Sequence, residues 1–303
     1  MTAGPVRLSF PQDLAPARFV GRPNRFLVRA RLEEDGQEVD AHLPDPGRLR
    51  ELLLPDASLW LEPARNPDRK TRWTLRLCER PDKAGVVSLD TTLPNRLVEK
   101  ALASNALTEF ADFSLVRSEY TVGRSRFDFL LERRRKRPAS DSGLADSPGS
   151  RGGAGPKEEI GSESGTGQEE PVGSERGAGQ EEGVGSESGA ALEEGPQNLL
   201  LEVKSVTLVE GGVGLFPDAV TERGARHVRE LAELTRDGEW ATAVLFVLQR
   251  DDAREIQAAS AIDPRFADEL QAAMVQGVKV LGRRCRVTLD GITLGEAVPA
   301  GPG

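Results

Sequence analysis

Three charged side chains sit where strands should be apolar. Asp128 lies in the run Arg126-Phe127-Asp128-Phe129-Leu130-Leu131, and Glu202 and Lys204 lie in Leu199-Leu200-Leu201-Glu202-Val203-Lys204-Ser205-Val206. A charge in such a segment loses hydration unless something replaces it. In an extended chain Glu202 and Lys204 point to one face and Val203 to the other. If the two strands pair, two carboxylates and an ammonium converge at one partly buried place. A carboxylate pair is a hard-oxygen ligand set suited to Mg²⁺ or Mn²⁺, with water and substrate phosphate completing the coordination. Such a metal activates water and neutralises charge on phosphoryl oxygens. Lys204 would position the attacking water or offset transition-state charge, and the Val203 carbonyl between them is a further candidate ligand. The chemistry expected is metal-dependent phosphodiester hydrolysis. A purely structural Glu202–Lys204 pair at a sheet edge is the competing account.

Other residues are candidates by position. Glu99, on the helix before these strands, is a possible third metal ligand. Gln249 ends the apolar run Ala243–Leu248, where strand-end polar groups face ligands in α/β sheets, and joins Asp128, Glu202 and Lys204 as a candidate catalytic residue. Arg223 and His227, four apart near a helix start, share a face and could hold a phosphate. Gly211-Gly212-Val213-Gly214 has no acidic residue at the spacing of a dinucleotide fingerprint and reads as a flexible loop. No Ser/His/Asp or Cys/His set is apparent, and with two histidines a zinc centre is not expected.

The elements that must position these groups fall into two regions. Up to about residue 90 the pattern is short strands and turns: Arg25–Leu32, Glu38–Leu43, Ser58–Glu62, Arg72–Glu79 and Gly85–Leu89. Five such strands suggest a small OB-type barrel. Alternation puts Arg29 and Arg31 on one face, and Arg65, Arg69, Lys70 and Arg72 gather at one turn; Arg29, Arg31, Arg69, Lys70, Arg223 and His227 are the candidate nucleic-acid contacts. After Pro94 come a helix to Leu107, the strands carrying Asp128 and Glu202, a helix over Asp218–Arg236 with Asp218 as N-cap, the strand Ala243–Leu248, a helix over Pro264–Gln276 capped by Asp263, and a strand at Val278–Leu281. That order describes a mixed sheet with helices on its faces.

Residues 149–196 hold four copies of a twelve-residue unit rich in Gly, Ser and Glu (Gly149–Ile160, Gly161–Val172, Gly173–Val184, Gly185–Pro196). With so little apolar surface to bury, residues 138–197 are expected to be a disordered insert in a hairpin loop. Its charge changes the meaning of the total. The chain carries −9, but residues 138–197 hold 13 acidic and 3 basic residues, leaving 36 acidic and 37 basic residues elsewhere. The rest is near neutral, with room for a basic face. No apolar run approaches the roughly 18 residues of a membrane span, the start lacks a secretory pattern, and two cysteines make no disulfide framework. A reduced cytoplasm and no membrane association are expected.

Leu199 through Arg223, together with Ser125–Leu131, closely resembles the sugar fermentation stimulation protein A (SfsA) family. Thr91-Thr92-Leu93-Pro94-Asn95-Arg96-Leu97-Val98, Phe246–Arg250 and Cys285-Arg286-Val287 agree. The resemblance implies an α/β (mixed) architecture: an N-terminal OB-like small β-barrel over residues 1–90, and a C-terminal PD-(D/E)xK nuclease-like α/β domain over 91–137 and 198–303. It implies that DNA is the partner, with RNA also open, and that Asp128, Glu202 and Lys204 match the nuclease-like motif. Two readings stand: a Mg²⁺- or Mn²⁺-dependent nuclease, and a non-catalytic DNA-binding regulator of sugar-utilisation genes with a vestigial nuclease fold. One departure is visible. The family turn usually reads His/Cys-x-Pro-Asn-Thr-Gly-Arg, and here it is His42-Leu43-Pro44-Asp45-Pro46-Gly47-Arg48.

Overall fold

A computed structural model describes residues 4–10, 14–66, 68–135 and 195–303. The acidic repeats lie, up to residue 194, outside the described residues. The short strand β1 (Arg7–Ser9) pairs with a C-terminal strand and belongs to the main sheet. Next come β2 (Ala15–Asn24), β3 (Leu27–Leu32), β4 (Glu38–His42), β5 (Ser58–Pro63), β6 (Trp73–Glu79) and β7 (Val86–Ser88). Strands β2 to β6 pair in the order β4-β3-β2-β5-β6, and a short parallel contact between β4 and β6 closes them into a barrel. In β3 the alternation is regular: Val28, Ala30 and Leu32 face the barrel core, Arg29 and Arg31 face out.

The barrel is of the expected type, but its strand set differs. Ala15–Asn24 was not expected as a strand, because Pro16, Gly21 and Pro23 break its alternation. Register shifts at Phe19/Gly21 and Gly21/Asn24 absorb those residues. Gly85–Leu89 is not a barrel stave; β7 extends the sheet beyond β6.

The second region supplies α1 (Leu93–Ala103), β8 (Phe113–Val122), β9 (Ser125–Arg133), β10 (Asn198–Val206), β11 (Leu208–Glu210), β12 (Val213–Phe216), α2 (Glu222–Arg236), β13 (Trp240–Leu248), β14 (Glu255–Ala258), α3 (Pro264–Val275), β15 (Lys279–Thr288), β16 (Gly291–Val298) and β17 (Ala300–Gly301). The main sheet has the order β1-β16-β15-β13-β10-β9-β8. Its centre, β10, β13 and β15, is parallel, and β13 is almost continuously apolar, as a strand covered on both faces requires. Alternate residues go to opposite layers. Leu199, Leu201, Val203, Leu245 and Val247 pack with α1, while Leu200, Val244, Phe246 and Leu248 pack with α2 and α3.

Two expectations about local structure change. Helix α2 begins at Glu222, and Thr221, not Asp218, caps it by accepting from the Gly224 amide. The glycine run is not loose: Gly211 and Gly212, with φ of 58° and 80°, form the turn of the β11–β12 hairpin, and positive φ is what such a two-residue turn demands. Among the described residues no helix is long and apolar enough to cross a membrane. Cys78 and Cys285 are buried and unpaired, and burial pushes both thiols up to about 12, far from thiolate chemistry.

The turn His42–Arg48 docks the barrel onto the α/β region. Thr91 donates to the Pro44 carbonyl at 3.2 Å, and Thr207, just past β10, donates to Asp45 at 3.4 Å. Gly47 is packed against the Asp218 carboxylate, and a Cβ there would lie 2.0 Å from Asp218 Oδ2. Gly47→Ala should therefore destabilise the protein by about 1–3 kcal/mol, the usual overpacking cost, seen as a drop of several degrees in Tm. An unchanged Tm would show that Asp218 swings aside freely.

Asp45 offers the opposite experiment. Burial pushes its carboxyl up to about 6, opposed by the Gly47 N–H and reinforced by the Asp218 charge. A carboxyl whose folded pKa is raised contributes stability at low pH and loses it as pH rises through about 6. Asp45→Asn removes that penalty. The variant should be more stable by up to about 3 kcal/mol at pH 7.5, with the gain shrinking below pH 6 and gone near pH 4. Parallel melting curves across this range check the sign.

Candidate metal centre

The centre forms where two strands part. Antiparallel pairing of β9 and β10 runs from Asn198 opposite Glu132 to Leu201 opposite Phe129. At the other end Arg133 and Gln197 still bond, the Arg133 amide giving to the Gln197 carbonyl at 2.7 Å, so the insertion leaves and re-enters at the neck of a hairpin. Past Leu201 the ladder stops. Asp128 replaces it: its Oδ2 accepts the Val203 amide at 2.7 Å, and its Oδ1 accepts from Asn95 Nδ2 at 2.7 Å. The Asp128 carboxylate is thus held from two directions, by β10 and by the first turn of α1.

Glu202 is 5 % exposed and Lys204 8 %. Both point to the α2 side, where His227 meets them. Glu202 Oε1 accepts from Lys204 Nζ at 2.7 Å and from His227 Nδ1 at 2.8 Å. An ionised carboxylate only accepts, so Nδ1 carries the imidazole proton in this contact. Burial works to raise the Glu202 carboxyl, but the Lys204 ammonium and the His227 contact win and hold it below its ordinary value. Asp128 goes the other way: burial, then the Glu202 charge, pushes it up to about 6 against the Val203 and Asn95 bonds. Two adjacent carboxylates driven apart in this way are a recurring feature of functional centres.

Several buried side-chain atoms among the described residues lack a hydrogen-bond partner, and one of them lies at this centre. Glu202 Oε2 is buried and has no hydrogen-bond partner, which normally costs about 1–3 kcal/mol or more for a charged group. With Oε1 saturated by two donors, Oε2 is the oxygen left to bind something else. A cation shared with Asp128 fits it. Among the described residues there is no cluster of three His, Cys, Asp or Glu side chains able to hold a metal, so an ion here would have few protein ligands and keep much of its water, which is the habit of Mg²⁺.

The structure brings Asp128, Glu202 and Lys204 together and leaves other candidates out. Glu99 is exposed and accepts from Ser118 at 2.6 Å; one helical turn after Asn95, it does not complete the ligand set. Gln249 is fully buried, and its amide donates to Ser205 Oγ at 2.9 Å. Ser205 alternates with Lys204, so Gln249 is bonded on the α1 side of the sheet and not to Lys204 or Glu202. His227 is no surface phosphate contact; it is 2 % exposed and is spent on Glu202. Arg223, one turn earlier, remains exposed. Arg29 and Arg31 are each tied across the β3–β4 ladder, to Asp40 and Glu38 at 3.1 Å, and offer less free charge than their spacing promised. Arg69 and Lys70 are exposed on the β5–β6 loop.

Two partners, Asn95 and His227, had signals that pattern reading passed over. Asn95 shares the apolar face of α1 with Val98 and Leu102, and His227 sits four residues before Leu231 on that of α2. A polar side chain on a buried stripe needs a partner, and these two face the carboxylates.

Comparison with known proteins decides the family. Residues 92–140 and 186–291 match the family described as "Sugar fermentation stimulation protein RE domain", and residues 20–88 match "SfsA N-terminal OB domain". A "Sugar fermentation stimulation protein homolog" of Shouchella clausii is 38% identical over 94% of this chain and 97% of its own length. The chain belongs to the SfsA family. A Moorella thermoacetica homolog with the same description is 35% identical over 96% of this chain and 97% of the relative. The SfsA fold is also seen in Pyrococcus furiosus SfsA in complex with Ca²⁺, which superposes with a TM-score of 0.69 over 99% of each chain at 22% identity. In this SfsA chain the OB barrel and the RE domain meet at the Asp45 turn, and the carboxylates lie within the RE match.

Proposed function

We propose that this SfsA protein is a DNA-binding, metal-dependent phosphodiesterase of the reduced cytoplasm, with Asp128 and Glu202 holding Mg²⁺ or Mn²⁺. The observation that carries the reading is the buried, unpartnered Glu202 Oε2 beside Asp128. Ca²⁺ in the Pyrococcus furiosus relative agrees with a divalent ion at this fold. When bound, the metal would supply an activated water and charge neutralisation at the scissile phosphate.

The protein's own residues do the positioning. Asn95 and the Val203 amide fix Asp128, and His227 and Lys204 fix Glu202 through one oxygen, leaving the second free. Lys204 brings a side-chain ammonium to this place; its position beside Glu202 suits it to orient the attacking water and to offset charge on the phosphoryl oxygens. Asp128 pushed up toward 6 and Glu202 held low divide the two carboxylates in their hold on protons.

A second reading, a DNA-binding regulator of sugar-utilisation genes without catalysis, draws on the family's description and on the fact that Lys204 and His227 already balance Glu202 without a metal. Purified protein incubated with duplex, single-stranded and branched DNA and with RNA, in Mg²⁺, Mn²⁺ or EDTA, separates the two. Metal-dependent cleavage lost in Lys204→Ala supports the enzyme. Bound but uncut nucleic acid in every condition supports the regulator.

A further inference from the structure

Outside the carboxylate centre, a cleft of about 480 Å³ rich in arginine lies between the barrel and α1. Its walls come from the β5–β6 loop, which brings Arg65 and Arg69, from β6, which brings Arg76, and from the first turn of α1, which brings Arg96. Four guanidinium groups thus face one space, with Glu62 as the acid among its lining residues. They are not equivalent. Arg76 is half-buried and already held by Glu62 and Asp90, so it forms the wall. Arg65, Arg69 and Arg96 are exposed, and among the described residues none of the three forms an ion pair; the Arg69 side chain donates to Thr74 at 3.1 Å. Their counter-charge must come from solvent or from a ligand.

The cleft's location restricts what that ligand is. Arg96 follows Asn95 directly, and successive helical residues diverge by about 100° around the axis. The same turn of α1 therefore holds Asp128 with one side chain and lines the cleft with the next. The cleft and the carboxylates thus share the first turn of α1. The β5–β6 loop is also the connection before the last barrel strand, a place where OB barrels present binding residues. Planar guanidinium forks match phosphate oxygens in pairs, which lysines do not. A volume of this size suits a nucleotide-scale group.

We propose that this cleft is a phosphodiester-binding subsite, in which Arg65, Arg69 and Arg96 hold the backbone of a nucleic acid strand beside the turn of α1 that fixes Asp128. The assignment rests on the reading that the centre acts on nucleic acid. It places the strand across the joint between barrel and RE domain, and it makes α1 the element that sets the distance between backbone grip and carboxylates.

Binding tests this separately from cleavage. Fluorescein-labelled single-stranded and duplex oligonucleotides are titrated with the full chain in EDTA, and anisotropy is followed at several salt concentrations. Each phosphate contact contributes roughly 0.7 (single strand) to 0.9 (duplex) to the slope of log affinity against log salt. The Arg65→Ala/Arg69→Ala/Arg96→Ala variant should bind at least about tenfold more weakly at low salt, with the slope reduced by about two. Arg29→Ala/Arg31→Ala, which removes guanidiniums already paired with acids, should bind within about twofold of the parent. Because all three cleft arginines are exposed, melting curves should match the parent's, and Arg96→Glu alone gives a second, charge-reversed check. Unchanged affinity and slope in both cleft variants overturn the subsite and leave the carboxylate centre untouched. Absence of binding by the parent itself overturns the subsite together with the nucleic-acid reading. Competition by a nucleoside monophosphate at concentrations equal to the oligonucleotide's would assign the cleft to free nucleotides and overturn the strand.

Discussion

Glu202→Gln should lower metal-dependent cleavage by roughly 10³-fold while the protein still folds. Gln keeps the side-chain volume and an acceptor for Lys204 Nζ and His227 Nδ1, so the hydrogen bonds that Oε1 makes at 2.7 and 2.8 Å have a replacement. It loses the charge on the oxygen that has no partner, and with it the ligand a divalent ion requires. The stability effect runs alongside. Lys204, 92 % withdrawn from solvent, would keep a buried ammonium without its counter-ion, which costs about 3 kcal/mol. Two measurements read the result. In the parent, Mn²⁺ should raise Tm by mass action, in proportion to the logarithm of its concentration above Kd. In Glu202→Gln that rise should vanish, as should cleavage. A variant that cleaves as the parent does would remove Glu202 from the centre. A variant that loses cleavage but keeps the full Mn²⁺ stabilisation would make Glu202 an orienting group and place the ion elsewhere.

The largest stability effect is expected at Phe246. Its ring is 1 % exposed and sits among Phe216 and Phe266, with centroid distances of 5.6 and 6.5 Å. In the parallel register of β10 and β13 it lies opposite Lys204, so it also forms part of the apolar wall beside the centre. Phe246→Ala should cost about 3–5 kcal/mol, from lost burial plus the cavity left behind. For an ordered region of this size that is a drop in Tm on the order of 10 °C. Calorimetry with a matching urea titration would check it, and a loss below about 1 kcal/mol would mean that α2 and α3 collapse into the space. Cleavage should fall further than the folded fraction does, because the wall that keeps water from Lys204 is gone.

Much of this protein was written locally. Asp263 ahead of Pro264 specified the start of α3, and its side chain does accept from the Phe266 amide. The uninterrupted apolar run Ala243–Leu248 marked a central strand, since only a sheet covered on both faces buries every residue. The charges of Asp128, Glu202 and Lys204 inside such runs marked the centre, because desolvation without compensation is too costly to occur by accident. Thr221 as cap of α2 was missed because two candidates, Asp218 and Thr221, stand within four residues, and the choice depends on where the chain enters after β12. Ala15–Asn24 was missed as a strand because its prolines and glycine hide the alternation, and only pairing with β3 and β5 reveals it.

Partners across long sequence separation were decided in three dimensions. Gln249 reads like a site residue at a strand end, but the parity of β10 sends it to Ser205, on the other face from Lys204. Glu99 and Asn95 are one turn apart on the same helix, and the sequence does not say which of them reaches Asp128; the packing of α1 against β10 selects Asn95. His227 looked like a phosphate contact from its spacing with Arg223, and the seating of α2 on the sheet turned it inward to Glu202. Residue types determined which groups had to be compensated. The packing of helices on the sheet determined what compensates them, because a hydrogen bond is a matter of a few tenths of an ångström and no local pattern carries that distance.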